Sequence, residues 1–134
     1  MRKDLKNYNQ KFKIFGRKKG RKLVKNLNTN ILASYLLNIS SDLTDKKIIL
    51  EIGSGNGENV LLLSKKYSNY LIIASEIYVD ANIHLCKVLD NKKIDNVKIF
   101  NQNVLILFEE INLNKLIKEI WILFPDPWPK KKHN

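Results

Sequence analysis

Cysteine occurs once in this chain of 134 residues, at Cys86, so no internal disulfide can form. A reducing, cytoplasmic location is the expectation that follows. Cys86 sits in an apolar helical stretch near Ile83 and Val88, which marks it as a packing residue rather than a nucleophile. Proline occurs three times, all within positions 125–129, and glycine five times, three of them at alternate positions 53, 55 and 57. No apolar run approaches the roughly 20 residues of a bilayer-crossing helix. The basic N-terminus is not followed by the apolar segment of a secretory leader, so no membrane association is expected. The apolar fraction of 44% is ordinary for a folded protein, and the length is that of one domain with a real core.

Acidic residues are also scarce, 13 against 24 Lys and Arg, for a net charge of +11. The shortage is local. Residues 1–25 hold eleven Lys/Arg and a single acid, Asp4, whereas residues 26–134 hold thirteen Lys/Arg and twelve acids. A nearly neutral domain (26–134) therefore carries a cationic arm (1–25). Such an arm suits a polyanion, because counterion release makes that contact strong and salt-sensitive. Its apolar residues, Leu5, Tyr8, Phe12, Ile14 and Phe15, form no continuous face for a membrane surface.

Past the arm, residues 28–39 have helical spacing, with Ile31, Leu32, Tyr35, Leu36 and Ile39 on one face, and 40–45 reads as a turn. Ile48-Ile49-Leu50 is a continuous apolar run of the kind found in strands covered on both sides. Helices are then expected at 58–67, 79–90 and 105–117 (broken near Asn112), with strands at 70–75, 97–100 and 119–124. This alternation predicts α/β architecture: a parallel sheet whose ligands bind beyond the carboxyl ends of its strands. Glu51, Glu76, Asn103 and Asp126 all fall just after those ends and converge on one crevice.

Glu51-x-Gly53-x-Gly55-x-Gly57 lacks the third glycine of a dinucleotide fingerprint, Glu58 standing there instead. Glycines let backbone approach a cofactor with no Cβ in the way. A carboxylate at Glu51 neutralises the cationic methionyl end of S-adenosylmethionine (SAM) and would repel a pyrophosphate, so SAM is favoured over NAD. Glu76, 19 residues after Gly57, has the spacing of a residue that binds ribose hydroxyls. Asn103 stands where many SAM enzymes place an Asp that accepts from the adenine amino group; it keeps an acceptor but loses the charge. No metal is expected. In Phe124-Pro125-Asp126-Pro127-Trp128 two prolines fix the backbone around one carboxylate, and two aromatics offer faces on which a base can stack. A comparable loop serves enzymes that methylate exocyclic amino groups, so these residues alone leave two reactions open.

The sequence resembles the bacterial tRNA (guanine-N7)-methyltransferases. Phe15-Gly16-Arg17-Lys18-Lys19-Gly20-Arg21 is similar to that family's basic N-terminal motif, Leu50–Glu58 to its SAM loop and Glu76-Ile77-Tyr78 to its acidic strand end. The run Phe124–Asn134 is similar to its signature loop. The resemblance implies a Rossmann-like SAM-dependent methyltransferase fold and formation of 7-methylguanosine in the tRNA variable loop. It implies that Glu51, Gly53, Gly55, Gly57, Glu76 and Asn103 bind SAM, and that Asp126, between cofactor and guanine, is catalytic. Arg17, Lys18, Lys19, Arg21, Lys130, Lys131, Lys132 and His133 would contact tRNA. Only the first four strands of such a fold are expected here, leaving the last with an open edge. The expectation is a truncated chain, either completed by a separate C-terminal piece or self-association, or inactive and at most tRNA-binding.

Overall fold

A computed structural model describes residues 29–43, 45–111 and 116–123. The elements in order are α1 (Thr29–Tyr35), α2 (Ile39–Asp42), β1 (Ile48–Ile52), α3 (Glu58–Lys66), β2 (Leu71–Ser75), α4 (Val79–Asn91), β3 (Val97–Phe100), α5 (Val104–Glu110) and β4 (Ile117–Ile122). The strands make one parallel sheet in the order β3-β2-β1-β4. The α/β class and the parallel sheet expected from the sequence are both present. So are helices beginning at Glu58 and Val79 and the strand Val97–Phe100.

The apolar runs of β1 and β2 form strands because both faces are covered. Ile49, Ile72, Ala74, Val97 and Ile99 pack beneath Leu32 of α1, Val60 and Leu63 of α3, and Ile83, Leu85, Cys86 and Leu89 of α4. On the opposite face Ile48, Leu50, Ile73 and Phe100 meet Ile106 and Leu107 of α5. Cys86 is fully buried and unpaired, and burial pushes its thiol pKa up to about 11. It is a packing residue, as its setting in the sequence indicates.

Three expectations need correction. The helix read over 28–39 stops at Tyr35, because Leu36 bridges to Ile99 and the Leu37 N–H donates to the Ile99 carbonyl at 2.8 Å. The segment read as a turn begins with a second helix, α2. There the Asn38 side chain accepts from the Ser40 N–H, and Asp42 accepts in return from the Asn38 N–H at 2.7 Å. The helix read over 105–117 ends at Glu110, close to the break expected near Asn112, and Ile117 opens β4, two residues before the expected strand start, by pairing with Ile48. Pairing with a neighbouring strand overrides local propensity in two of these cases.

β4 has a neighbour on one side only among the described residues. Its register against β1 shifts between Ile48 and Ile49, after which Glu119 and Trp121 lie opposite Ile49 and Glu51. Glu119 clamps the strand: it accepts from the Tyr67 hydroxyl at 2.8 Å and from Trp121 Nε1 at 2.9 Å. These bonds, the Tyr67 one first, hold its pKa below the usual carboxylate range. Ile120 and Ile122, on the other face, are 49% and 54% exposed.

Candidate cofactor site

The carboxyl edge of β1 and β2 is built around a loop that only glycine permits. Gly53, Gly55 and Gly57 have φ of +74°, +54° and +84°. At Gly57 the constraint is double, since a Cβ there would fall inside the buried side chain of Leu85. At Gly53 and Gly55 a Cβ would meet nothing within 4 Å, so these two present bare backbone to open space. Gly53 and Ser54 donate to the Ser75 carbonyl, at 2.8 and 3.2 Å, which ties the loop to the end of β2. Gly57 is the N-cap of α3 and supplies no capping side chain.

Glu76 follows β2 directly. Its carboxylate accepts from the Gly55 N–H and from the Tyr78 N–H, both at 3.0 Å, so it organises the loop as well as lying beside it. Its backbone carbonyl accepts from Asn82 Nδ2 at 2.8 Å. Asn103 caps α5, its Oδ1 accepting from the Leu105 N–H at 3.0 Å. That bond occupies one of the carbonyl's two lone pairs and leaves its amide N–H groups.

Glu51 lies inside β1, one residue before its end, rather than just past the strand as the sequence suggests. It is 3% exposed, and burial raises its pKa from the usual 4.5 to about 7. The Asn59 side chain, placed to hydrogen-bond with the carboxyl, opposes that rise.

Buried polar atoms are nearly always paired, so each exception calls for a reason. Among the described residues the buried side-chain atoms without a partner are Glu51 Oε2, Ser54 Oγ, Asn59 Nδ2 and Asn82 Oδ1. All four belong to the carboxyl edge of β1, its loop, or the first turn of the helices after β1 and β2. Acceptors and donors gathered beside bare backbone fit a zwitterionic, hydroxyl-rich ligand, and SAM has that chemistry. The sequence pointed to Glu51, the glycines, Glu76 and Asn103, and the structure brings these to one edge. Ser54, Asn59 and Asn82 were missed. They look like ordinary loop and helix-start residues until tertiary packing buries their side-chain polar atoms. Asp126, Arg17, Lys18, Lys19, Arg21, Lys130, Lys131, Lys132 and His133 lie outside the described residues.

A cavity of about 530 Å³ at the opposite edge, lined by Asp45, Lys46, Lys47, Tyr70, Asp95 and Asn96 among others, does not touch the glycine loop. It mixes two carboxylates with two ammonium groups, and the cofactor chemistry lies elsewhere.

A family model described as "Putative methyltransferase" matches residues 45–134. A tRNA (guanine-N(7)-)-methyltransferase of Neorickettsia sennetsu is 34% identical over 130 residues, covering 93% of this chain and 57% of the relative. One from Buchnera aphidicola subsp. Baizongia pistaciae is 30% identical over 130 residues, 87% and 52% of the two chains. The protein thus spans about half the length of these relatives. Among solved structures, an antibiotic-related methyltransferase aligns with a TM-score of 0.49 at 20% identity, over 84% of this chain and 52% of that one.

Proposed function

Because the chain belongs to this methyltransferase family and its site fits SAM, we propose that it is the cofactor-binding part of a tRNA methyltransferase acting on N7 of guanine. Methylation with SAM as donor follows from the family; the tRNA substrate and the N7 position are the proposal. The observation that carries the reading is the set of unpaired buried polar atoms around the glycine loop. The tRNA assignment draws on the two relatives, on the Phe124–Asn134 motif and on the cationic arm.

SAM supplies an electrophilic methyl group on a sulfonium. Guanine N7 has a free lone pair, so the protein need not remove a proton before transfer. Its work is alignment and exclusion of water. Glu51 binds the methionyl ammonium, Glu76 the ribose hydroxyls and Asn103 the adenine, while Gly53 and Gly55 let the loop backbone lie against the ligand. Asp126 is assigned the guanine side, where its carboxylate offsets the positive charge that develops as N7 is alkylated. Arg17, Lys18, Lys19, Arg21 and Lys130–His133 are assigned to tRNA phosphate and sugar.

A second reading has its own observation. Among the described residues β4 is paired on one side only, with Ile120 and Ile122 exposed, an edge of the kind proteins usually cover. In that reading the chain binds SAM but transfers methyl only when a separate C-terminal polypeptide or a second copy covers β4. The test is incubation of the purified chain with labelled SAM and tRNA, followed by nucleoside analysis. The proposal expects 7-methylguanosine. N6-methyladenosine would overturn the N7 assignment. S-adenosylhomocysteine (SAH) binding without any product would favour the second reading.

A further inference from the structure

Glu76 is tied down at four atoms by four separate parts of the fold. Its N–H donates to the Phe100 carbonyl of β3 at 3.1 Å, and its carbonyl accepts from Asn82 Nδ2 at 2.8 Å. Its two carboxylate oxygens accept from the Gly55 and Tyr78 N–H groups, both at 3.0 Å. Of these four partners only Asn82 acts through a side chain, so that bond alone depends on residue type. Resting on the assignment of Glu76 to the ribose hydroxyls above, we propose that Asn82 is the positioning residue for that contact. It fixes the turn 76–78 so that the Glu76 carboxylate is held towards the ribose.

Asn82 grips both ends of that turn. Its side chain holds the Glu76 carbonyl, and its backbone N–H donates to the Tyr78 carbonyl at 3.1 Å. The Tyr78 N–H in turn holds the Glu76 carboxylate, which closes a ring through residues 76, 78 and 82. Each carboxylate oxygen takes one of these backbone donors and can accept two, so a site on each stays open to a hydroxyl. Helix α4 by itself gives no reason for an asparagine here. Asn82 is its fourth residue, fully buried on a helix whose Ala81, Ile83, Leu85 and Cys86 are also buried, and its Oδ1 has no partner. Asparagine is a poor helix former, and a buried unpaired carbonyl is costly. An apolar residue would serve α4 better, and a residue that breaks a local rule is expected where function needs it.

The test is a double-mutant cycle read by SAH affinity, measured by calorimetry on the full chain. Asn82→Ala is expected to weaken SAH about tenfold, the worth of one charge-assisted hydrogen bond between Glu76 and the ribose. In a Glu76→Ala background the same substitution is expected to weaken SAH by less than about twofold, because the contact it orients is already gone. Asn82→Leu, which keeps the branched outline, repeats the cycle if urea denaturation shows the Ala variant to be poorly folded. Equal losses in both backgrounds would make Asn82 a structural residue and overturn the inference, as would unchanged SAH affinity with Glu76 intact. A wild-type chain that binds no SAH overturns the SAM reading itself, whereas wild-type binding that Asn82 substitutions leave untouched overturns this inference alone.

Discussion

Glu51→Gln separates what the cofactor site needs from what the fold prefers. The Glu51 carboxyl has its pKa raised from 4.5 to about 7 by burial, with the Asn59 amide opposing. As pH rises from 4.5 towards 7 the unfolded chain ionises while the folded chain keeps its proton. Stability is therefore full below pH 4.5 and lost progressively until the folded protein ionises near 7. At about 1.4 kcal/mol per pKa unit the shift corresponds to roughly 3 kcal/mol, discounted to about 2 kcal/mol for water reaching the site. Glutamine has nearly the same shape and no charge to desolvate. The Gln variant without ligand should thus be about 2 kcal/mol more stable than wild type at pH 8, and nearly equal to it at pH 4.5. Its affinity for SAH should fall at least tenfold, because the ammonium loses a charged partner. Urea denaturation at the two pH values, with and without saturating SAH, reads both effects. A Gln variant no more stable than wild type at pH 8, or one with the same advantage at both pH values, would refute the reasoning.

Gly57→Ala combines a left-handed backbone with a Cβ inside Leu85, and should cost about 3 kcal/mol in urea denaturation. Gly55→Ala, with open space at its Cβ, should cost only about 1 kcal/mol. Asn103→Asp keeps the cap on α5, since Asp and Asn cap equally well, and adds charge towards the adenine amino group. SAH affinity should rise about tenfold by calorimetry, and no change would remove Asn103 from the adenine contact. Asp126→Ala should abolish methyl transfer to tRNA while leaving SAH binding intact, and retained turnover would sink its catalytic assignment.

How far the sequence was legible depended on whether the deciding contact was local. Ile48-Ile49-Leu50 announced a strand because covering both faces demands apolar side chains at every position. The glycine loop was equally plain, since positive φ at alternate positions restricts residue type. The end of α1 and the start of β4 were not legible. Leu36 and Ile117 satisfy a helical pattern, and what moves them out of it is pairing with β3 in one case and with β1 in the other. Within the site, Glu51 and Glu76 stand out because buried-strand termini seldom carry acids. Asn59 and Asn82 do not stand out, for asparagine near a helix start ordinarily means a cap. Only the burial of Asn59 Nδ2 and Asn82 Oδ1, a property of the assembled edge, sets them apart.

The sheet order also dictates how the protein comes together as it is made. A ribosome releases β1, β2 and β3 in the sequence in which they stack outward, so that β2 and β3 each find a partner already in place. β4 must instead travel back past β2 to the bare side of β1, closing by far the longest loop of any pairing in the sheet. By then the glycine loop, Glu76 and Asn103 have all been synthesised, and their strands are already paired. The strand that leads to Asp126 arrives last, onto a template whose other three strands are already in register.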